Sequence, residues 1–319
     1  MNSAGNFAQR HWAGQAGAAG VPLSLQLKPG DPLEFTLAWT GGSGVRAGLS
    51  IQRQAPDGSW VEVAGGSATA PGLVVSTQST DASPWRLVVS QSDGTPTGLE
   101  VFSRTAGFGD QAVPAGSIPT PGDAVGSLTV GAVPWTGTLL AGYSSQGPTN
   151  DGRLKPDIAA PTYITSNPGF PGTAGTSAAT PHVAAAAALL RQERQRDGLP
   201  YDAASLRNAL ILSARDLGPP GVDEMFGAGL VRLDTTPPHL RLYLGPGRRP
   251  FLQVQVSDDG IVGAVTATVG GVRVGASRGP RPRFRLPALP ARRKRLVVRA
   301  QDLAGNVATA TTWVRLRGR

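Results

Sequence analysis

With 319 residues the chain is long enough for two or three domains with real cores. Its 43 Gly and 28 Pro against 16 % charged residues describe a loop-rich and strand-rich globular protein, not a disordered, collagenous or coiled-coil one. The absence of Cys excludes a disulfide framework and a thiolate metal site, and no run reaches the ~20 apolar residues that span a bilayer. The net charge of +9 is unevenly spread, with a large share of the arginines between Arg248 and Arg319.

Asn2 to Gly14 opens on a small-residue turn, Ser3-Ala4-Gly5-Asn6, with no element ahead of it and no export signal in the chain as written. From Val21 to about Phe102 apolar residues alternate with polar ones. Leu33, Phe35, Leu37 and Trp39 mark one face, and Leu49/Ile51, Trp85/Leu87/Val89 and Leu99/Val101 repeat the pattern between turns such as Pro56-Asp57-Gly58. Period two predicts half-buried strands, hence an antiparallel β-sandwich over 21–111. Trp39, Trp60 and Trp85 fit either ligand-stacking platforms or core packing, and core packing is favoured.

Ala124 to Ala132 is continuously apolar between glycines, as in a strand buried on both faces of a parallel sheet. Gly172 to Leu190 then leads a glycine and a threonine into Ser177 and a run of small apolar residues. A helix starting there presents free N–H groups and the positive end of its dipole, which would stabilise an oxyanion beside Ser177. The other reading is an Ala-rich core helix with a Ser/Thr N-cap. The run Val183–Leu190 has no polar face, which predicts burial on all sides, with Pro181 in the first turn, a charged end at Arg191–Arg196 and a stop at Gly198. Asp202 caps a second helix, and Phe226-Gly227-Ala228-Gly229-Leu230 is a glycine-rich return.

Asp234-Thr235-Thr236-Pro237-Pro238 is a stiff linker and marks a boundary. Beyond it Leu240/Leu242/Leu244, Leu252/Val254/Val256 and Leu296/Val298 alternate as strands, the last strand ending near Trp313. Arg292, Arg293, Lys294 and Arg295 fit either a nucleic-acid or acidic-polymer contact or a solvated turn; the turn is favoured and no nucleic-acid partner is expected. Asp302 and Asn306 fit calcium ligands or an Asx turn; the turn is favoured and no metal is expected.

Three segments carry a family resemblance. GTSAATPHVA, from Gly175 to Ala184, resembles the nucleophile motif of the subtilisin-like serine proteases, the subtilases. YSSQGPTNDGRLKPDIAAP, from Tyr143 to Pro161, is similar to the stretch that precedes that motif in the family, with Ser144, Ser145, Gly147, Pro148, Asp151, Gly152, Lys155, Pro156, Asp157 and Pro161 in place. Ser3-Ala4-Gly5-Asn6 is similar to the segment whose asparagine amide donates to the oxyanion. The strands after the linker, with their Asp302–Asn306 turn, resemble bacterial immunoglobulin-like modules.

The resemblance implies an α/β fold: a parallel-sheet subtilase-type domain, N-terminally incomplete, with an inserted antiparallel β-sandwich and a C-terminal Ig-like β-sandwich. The expected division is 1–20 and 112–233 for the subtilase portion, 21–111 for the insert, 234–239 for the linker and 240–319 for the Ig-like domain. It also implies a secreted endopeptidase with Ser177 as nucleophile, Asn6 in the oxyanion hole, and Ala4, Gly5 and Thr176 against a polypeptide substrate, with no cofactor. Asp157 is structural on this reading, because the family's triad acid precedes its histidine and serine.

A serine hydroxyl needs a base oriented by an acid. The chain has three histidines. His182 follows Ser177 by five residues on one helix and points away from it; His11 lies outside any H-G-T-x-V-A segment; His239 opens the appended module. The chain is therefore expected to be inactive alone, since loss of the base costs a subtilase about 2 × 10⁶-fold in kcat. A fragment, a split protease completed by an upstream chain, or a degenerate relative each fit, with the fragment favoured. A non-catalytic secreted binding or adhesion protein is the competing class.

Overall fold

The computed structural model describes residues Met1 to Arg319 apart from 96, 165–171, 197, 234–235, 246–250, 259–261, 288–292, 303–305 and 316–319. The expected linker residues Asp234 and Thr235, Arg292 of the basic cluster, and the centre of the Asp302–Asn306 turn lie outside the described residues. The described chain forms two compact units, Met1–His182 with Asp216–Leu230, and Val183–Arg215 with Val231–Arg319.

In the first unit β1 (Asn2–Ser3) leads into β2 (His11–Gly14), β3 (Val21–Ser24), β4 (Pro32–Trp39), β5 (Arg46–Gln54), β6 (Trp60–Ala68), β7 (Leu73–Gln78), β8 (Trp85–Asp93) and β9 (Leu99–Ser103). Strands β2 to β9 make two four-stranded antiparallel sheets, ordered β2-β9-β4-β7 and β3-β8-β5-β6. Alternation divides their faces, so that Leu33, Phe35 and Leu37 of one sheet and Leu49, Ile51, Leu87 and Val89 of the other share one buried core. Trp39 and Trp85 belong to that core, while half-buried Trp60 carries the Arg86 guanidinium 4.1 Å from its ring centre. The sandwich starts earlier than Val21, because β2 pairs with β9 from His11↔Phe102 to Gly14↔Leu99.

The parallel sheet is built from β1, β10 (Thr129–Pro134) and β11 (Ile158–Thr162), in the order β1-β10-β11. A parallel bridge, Ala159↔Leu230, adds the glycine-rich return beyond β11. Five of the six β10 residues are buried, as the continuous apolar pattern requires, but the strand starts at Thr129 and not at Ala124. Ala124 to Ser127 turns instead, with Ala124 N donating to Pro121 O and Ser127 N to Ala124 O. Gly227 sits at φ +62°, where a Cβ would come within 2.3 Å of the Asp157 carbonyl carbon, so only glycine lets the return lie this close.

Two corrections concern α1 (Thr176–Arg196). Burial recurs at Ala179, Val183, Ala186 and Leu190, the spacing of one helical face, while Ala184, Ala185, Ala188 and Leu189 are exposed. The apolar run is thus covered on one side only. An alanine methyl exposes little apolar area, so a run of them does not force burial all round. Pro181 lies beyond the first turn and cannot give an N–H to the Ser177 carbonyl. Thr180 Oγ1 donates to Thr176 O and His182 Nδ1 to Ala178 O around that position.

In the second unit α2 (Ala203–Ser213) is capped by Asp202, whose side chain accepts from Ser205 N. Then come β12 (His239–Gly245), β13 (Phe251–Ser257), β14 (Val262–Val269), β15 (Val272–Arg278), β16 (Arg283–Arg285), β17 (Arg293–Asp302) and β18 (Val307–Arg315). They form sheets β12-β13-β16 and β15-β14-β17-β18 around a core that includes Leu252, Val254, Val265, Ala267, Leu296 and Val298. Arg293, Lys294 and Arg295 are in β17 and not in a turn, since their backbone pairs with Arg315, Val314 and Trp313. Asp302 Oδ1 accepts from Asn306 N, an Asx geometry. Among the described residues no helix is long and apolar enough to cross a membrane.

Asp157 is structural. Its Oδ2 accepts from Thr129 N and lies 2.6 Å from Lys155 Nζ, with Lys155 also donating to Ser127 O and Thr129 Oγ1. The pair is almost fully buried and ties the Tyr143–Pro161 stretch to β10. Removing one partner leaves a buried charge. Lys155→Met is expected to lower the unfolding free energy by about 3–5 kcal/mol, read from urea denaturation; an unchanged midpoint would contradict this.

His11 is enclosed in the sandwich, its Nδ1–H donating to Val113 O at 2.7 Å and its ring 4.6 Å from that of Phe102. Burial pushes its pKa below the ordinary 6.5, outweighing the Val113 hydrogen bond that raises it. As pH falls through 6.5 the unfolded chain takes up a proton that the folded one refuses, so stability is lost toward acid. Asp81, held at about 2 by Ser83 and Arg53, and Asp151, held at about 2 by Arg153 and Thr149, stay ionised across that window. The thermal midpoint is expected to drop between pH 8 and 5.5, and less steeply in His11→Asn; equal slopes would exclude His11 as the cause.

Candidate active site

The site lies where the end of β1 meets the start of α1. Ala4 is fully buried, its N–H donating to Val130 O and continuing the parallel pairing of β1 with β10. Gly5 follows at φ +102°, and a Cβ there would strike Pro119 Cδ at 2.7 Å and Ser145 Oγ at 2.9 Å, so the turn requires glycine. Ser145, also fully buried, holds this turn: its N–H donates to Gly5 O and its Oγ accepts from Phe7 N. Two segments singled out separately in the sequence thus meet.

Asn6 is gripped at both ends. Its backbone carbonyl accepts from Arg10 Nε at 3.2 Å and Nη2 at 2.7 Å. Its side-chain Oδ1 accepts from Thr176 N at 3.0 Å and from Thr176 Oγ1 at 3.1 Å. Thr176 Oγ1 in turn accepts from Gly5 N at 3.1 Å. With Oδ1 occupied, Nδ2 is the amide end left to donate. A point on Gly175, where its Cβ would stand, lies 3.4 Å from Asn6 Nδ2 and 3.0 Å from Ser177 Oγ, so amide and hydroxyl face one small region. Ser177 is exposed in the first turn of α1, where Thr176 N is taken by Asn6 Oδ1 and Ala178 N and Ala179 N by Gly175 O, and Ser177 N lies 3.7 Å from the same Gly175 point. Ser177, Thr176, Asn6, Gly5 and Ala4 are therefore brought together.

Two hydroxyls to which the sequence reading gave no role, those of Tyr143 and Thr162, hold the turn before Ser177. Gly175 N donates to Tyr143 OH at 2.8 Å and to Thr162 Oγ1 at 3.1 Å, the two hydroxyls lie 2.8 Å apart, and Thr162 Oγ1 donates to Gly175 O at 3.3 Å. The donors close into a ring in which Tyr143 gives its proton to Thr162. Gly175 itself is at φ +123°. Tyr163 packs edge-on to Tyr143 with ring centres 5.9 Å apart and is the one non-glycine among the described residues with positive φ, at 57°. Tyr143 opens the quoted Tyr143–Pro161 stretch and Thr162 directly follows it, so their placement at its ends was the available signal. Arg10 had none; burial lowers its pKa, and its donors go to the carbonyls of Asn6 and Arg104.

Each of the three histidines is placed by its own element. His11 is locked in β2, half-buried His182 turns back on its own helix to Ala178 O, and His239 opens β12 in the other unit. No group of three or more His, Cys, Asp or Glu able to hold a metal occurs among the described residues.

A family model, described as the subtilase family, peptidase S8, matches residues 40–229. The chain belongs to the subtilase family. Its curated relatives include pyrolysin of Pyrococcus furiosus, 38 % identical over 82 residues, covering 24 % of this chain and 6 % of pyrolysin. An extracellular serine protease of Serratia marcescens is 42 % identical over 71 residues, 22 % of this chain and 6 % of that one. Minor extracellular protease Vpr of Bacillus subtilis is 29 % identical over 163 residues, 43 % and 20 %. The subtilase chain here thus spans a small part of the length of the relatives it matches. Among solved structures the CspB protease of Clostridium perfringens aligns with a TM-score of 0.51 at 19 % identity, over 72 % of this chain and 57 % of that one, a likeness of fold.

The Tyr143–Thr162–Gly175 ring is testable in this subtilase by stability. Thr162→Val leaves the Tyr143 hydroxyl and the Gly175 carbonyl short of a partner and is expected to cost about 1–3 kcal/mol in urea denaturation. Thr162→Ser keeps the hydroxyl and should retain most of that; equal losses in both variants would show that the hydroxyl is not what matters.

Proposed function

We propose that this chain carries the nucleophile and oxyanion half of a serine endopeptidase, acting on polypeptides through an acyl-enzyme on Ser177. The observation that carries this reading is the clamp of Thr176 on the Asn6 amide oxygen, which leaves Asn6 Nδ2 turned toward the region of Ser177 Oγ. An amide held in advance stabilises a forming oxyanion without reorganisation, an effect of about a hundred- to thousand-fold in rate. The Ser177 N–H, its nitrogen 3.7 Å from the same point on Gly175 and at the positive end of the α1 dipole, would act in the same direction. Of the three residues expected against the substrate, Gly5 is the one with accessible surface and would line it, while Ala4 and Thr176 are buried and would support the β1–α1 junction from beneath. No cofactor enters this chemistry.

The acid and base are not part of this half. A polypeptide supplying them is the implied partner, and without it the chain is inactive as a protease. On the same reading the β2–β9 sandwich is an insert in the subtilase portion and the β12–β18 sheets are an Ig-like module of a secreted protein, in keeping with the extracellular proteases among its relatives.

Two measurements test the proposal. Purified chain is expected to leave casein intact, and a fluorophosphonate to label Ser177 slowly. Adding a polypeptide that carries a subtilase acid and base should speed labelling in the wild type and not in Ser177→Ala, with Asn6→Leu losing most of the gain. Casein cleavage by the chain alone, abolished by Ser177→Ala, would show that the base is already present. A second reading, a binding protein on a subtilase scaffold, is favoured by the backbone carbonyls that engage the Nδ1 atoms of His11 and His182; labelling that no added polypeptide accelerates would support it.

A further inference from the structure

The charge of this protein is concentrated in one place. Residues 240–319 contain 16 Lys and Arg against three Asp and no Glu, whereas acids outnumber cations in the rest of the chain. The strand register shows where several of these cations go. In the sheet β15-β14-β17-β18 the inward positions are Val265, Ala267, Val269, Leu296, Val298, Ala300 and Val314, all buried. Period two sends their neighbours to the opposite face.

That outer face is a basic platform. Across the sheet, Arg273 pairs with Thr268 and Thr268 with Val297; Thr266 pairs with Arg299 and Arg299 with Thr309; Arg295 pairs with Trp313, and Arg278 with Ala264. Arg273, Arg278, Arg293, Arg295 and Arg299 are exposed, and the Trp313 indole, directly across from Arg295, is 58 % exposed. No Asp or Glu occupies an outward position in these rows. The face runs at one end into a groove of about 390 Å³ bordered by Arg299, Thr309, Asn306 and Arg196, where the acid, Glu193, lies 3.5 Å from Arg196.

We propose that this face binds an acidic polysaccharide, a chain of carboxylated sugars laid across β17 and β18. Five exposed guanidiniums on a flat sheet repel one another and find no acid in the rows they share, so an external polyanion is their natural complement. Guanidiniums take carboxylates in a forked geometry. Trp313 offers one broad apolar ring, and the Thr309 and Thr311 hydroxyls beside it suit sugar hydroxyls. A single-stranded nucleic acid would call for successive aromatic platforms to stack successive bases, and this face has one. Reassigning Arg293 to Arg295 from a solvated turn to a paired strand is what makes the platform visible.

The test uses the full chain and polygalacturonate as probe, with neutral dextran as control. Retardation in an affinity gel containing polygalacturonate, quenching of tryptophan fluorescence, and weakening with added salt are expected, with no retardation by dextran. Arg273→Ser/Arg295→Ser/Arg299→Ser should weaken binding at least tenfold, and Trp313→Ala should remove the quenching. Arg241→Ser/Arg281→Ser/Arg285→Ser takes the same charge from β12, β16 and the segment just ahead of β16 and should change binding less than threefold. Equal weakening by both triple variants, absence of retardation, or tighter binding of a twenty-residue oligothymidylate than of polygalacturonate would each overturn the proposal. Far-ultraviolet circular dichroism of each variant separates loss of binding from loss of fold.

Discussion

The site depends on one contact, the pair of hydrogen bonds from Thr176 to the side-chain oxygen of Asn6, made between residues 170 positions apart in sequence. Neither residue could hold the geometry alone. Asn6 follows a strand of only two residues, and Thr176 begins a helix whose next residue is exposed. The bonds work because each backbone is already fixed by something else. Gly5 is wedged against Pro119 and Ser145, and Gly175 is held by two hydroxyls at a φ that costs other residues dearly.

Bringing the two segments together requires that the long excursion between them return to its starting point. The sandwich does this by its own pairing. β2 and β9, its first and last strands, are neighbours, and Val113 N donates to His11 O just after the exit. Loop-closure entropy is therefore met by sandwich packing, and the parallel pairing of β1 with β10 forms between ends that already lie close. The buried Lys155–Asp157 pair and Gly227 then seat the remaining strands against β10, at a density that admits no Cβ.

Much of this was legible in sequence, for definite physical reasons. Period two in Leu33–Trp39 and Leu49–Ile51 reports a sheet with one covered face, and such alternation has few other causes. The motifs around Asn6, Ser145 and Ser177 identify the family because close backbone approach admits few residue types. The all-apolar run Val183–Leu190 misled, since alanine is compatible with both burial and exposure, and hydropathy says nothing of what covers a face. The start of β10 was misplaced because Ala124–Ser127 has the composition of a strand but the hydrogen bonds of a turn. The Tyr143–Thr162–Gly175 ring was out of reach. It is a matter of three hydroxyl and amide directions, and no periodicity encodes those.

The contact between Thr176 and Asn6 fixes a direction as well as a place. Thr176 presents two donors to position 6, so the side chain there must turn an acceptor toward them. An aspartate would meet that demand with one oxygen and set its second, negative oxygen where the amide nitrogen stands; a leucine would meet neither donor and leave both short of a partner. Asparagine is the side chain of this shape with an acceptor at one end of its plane and a donor at the other, and the helix start reads that asymmetry.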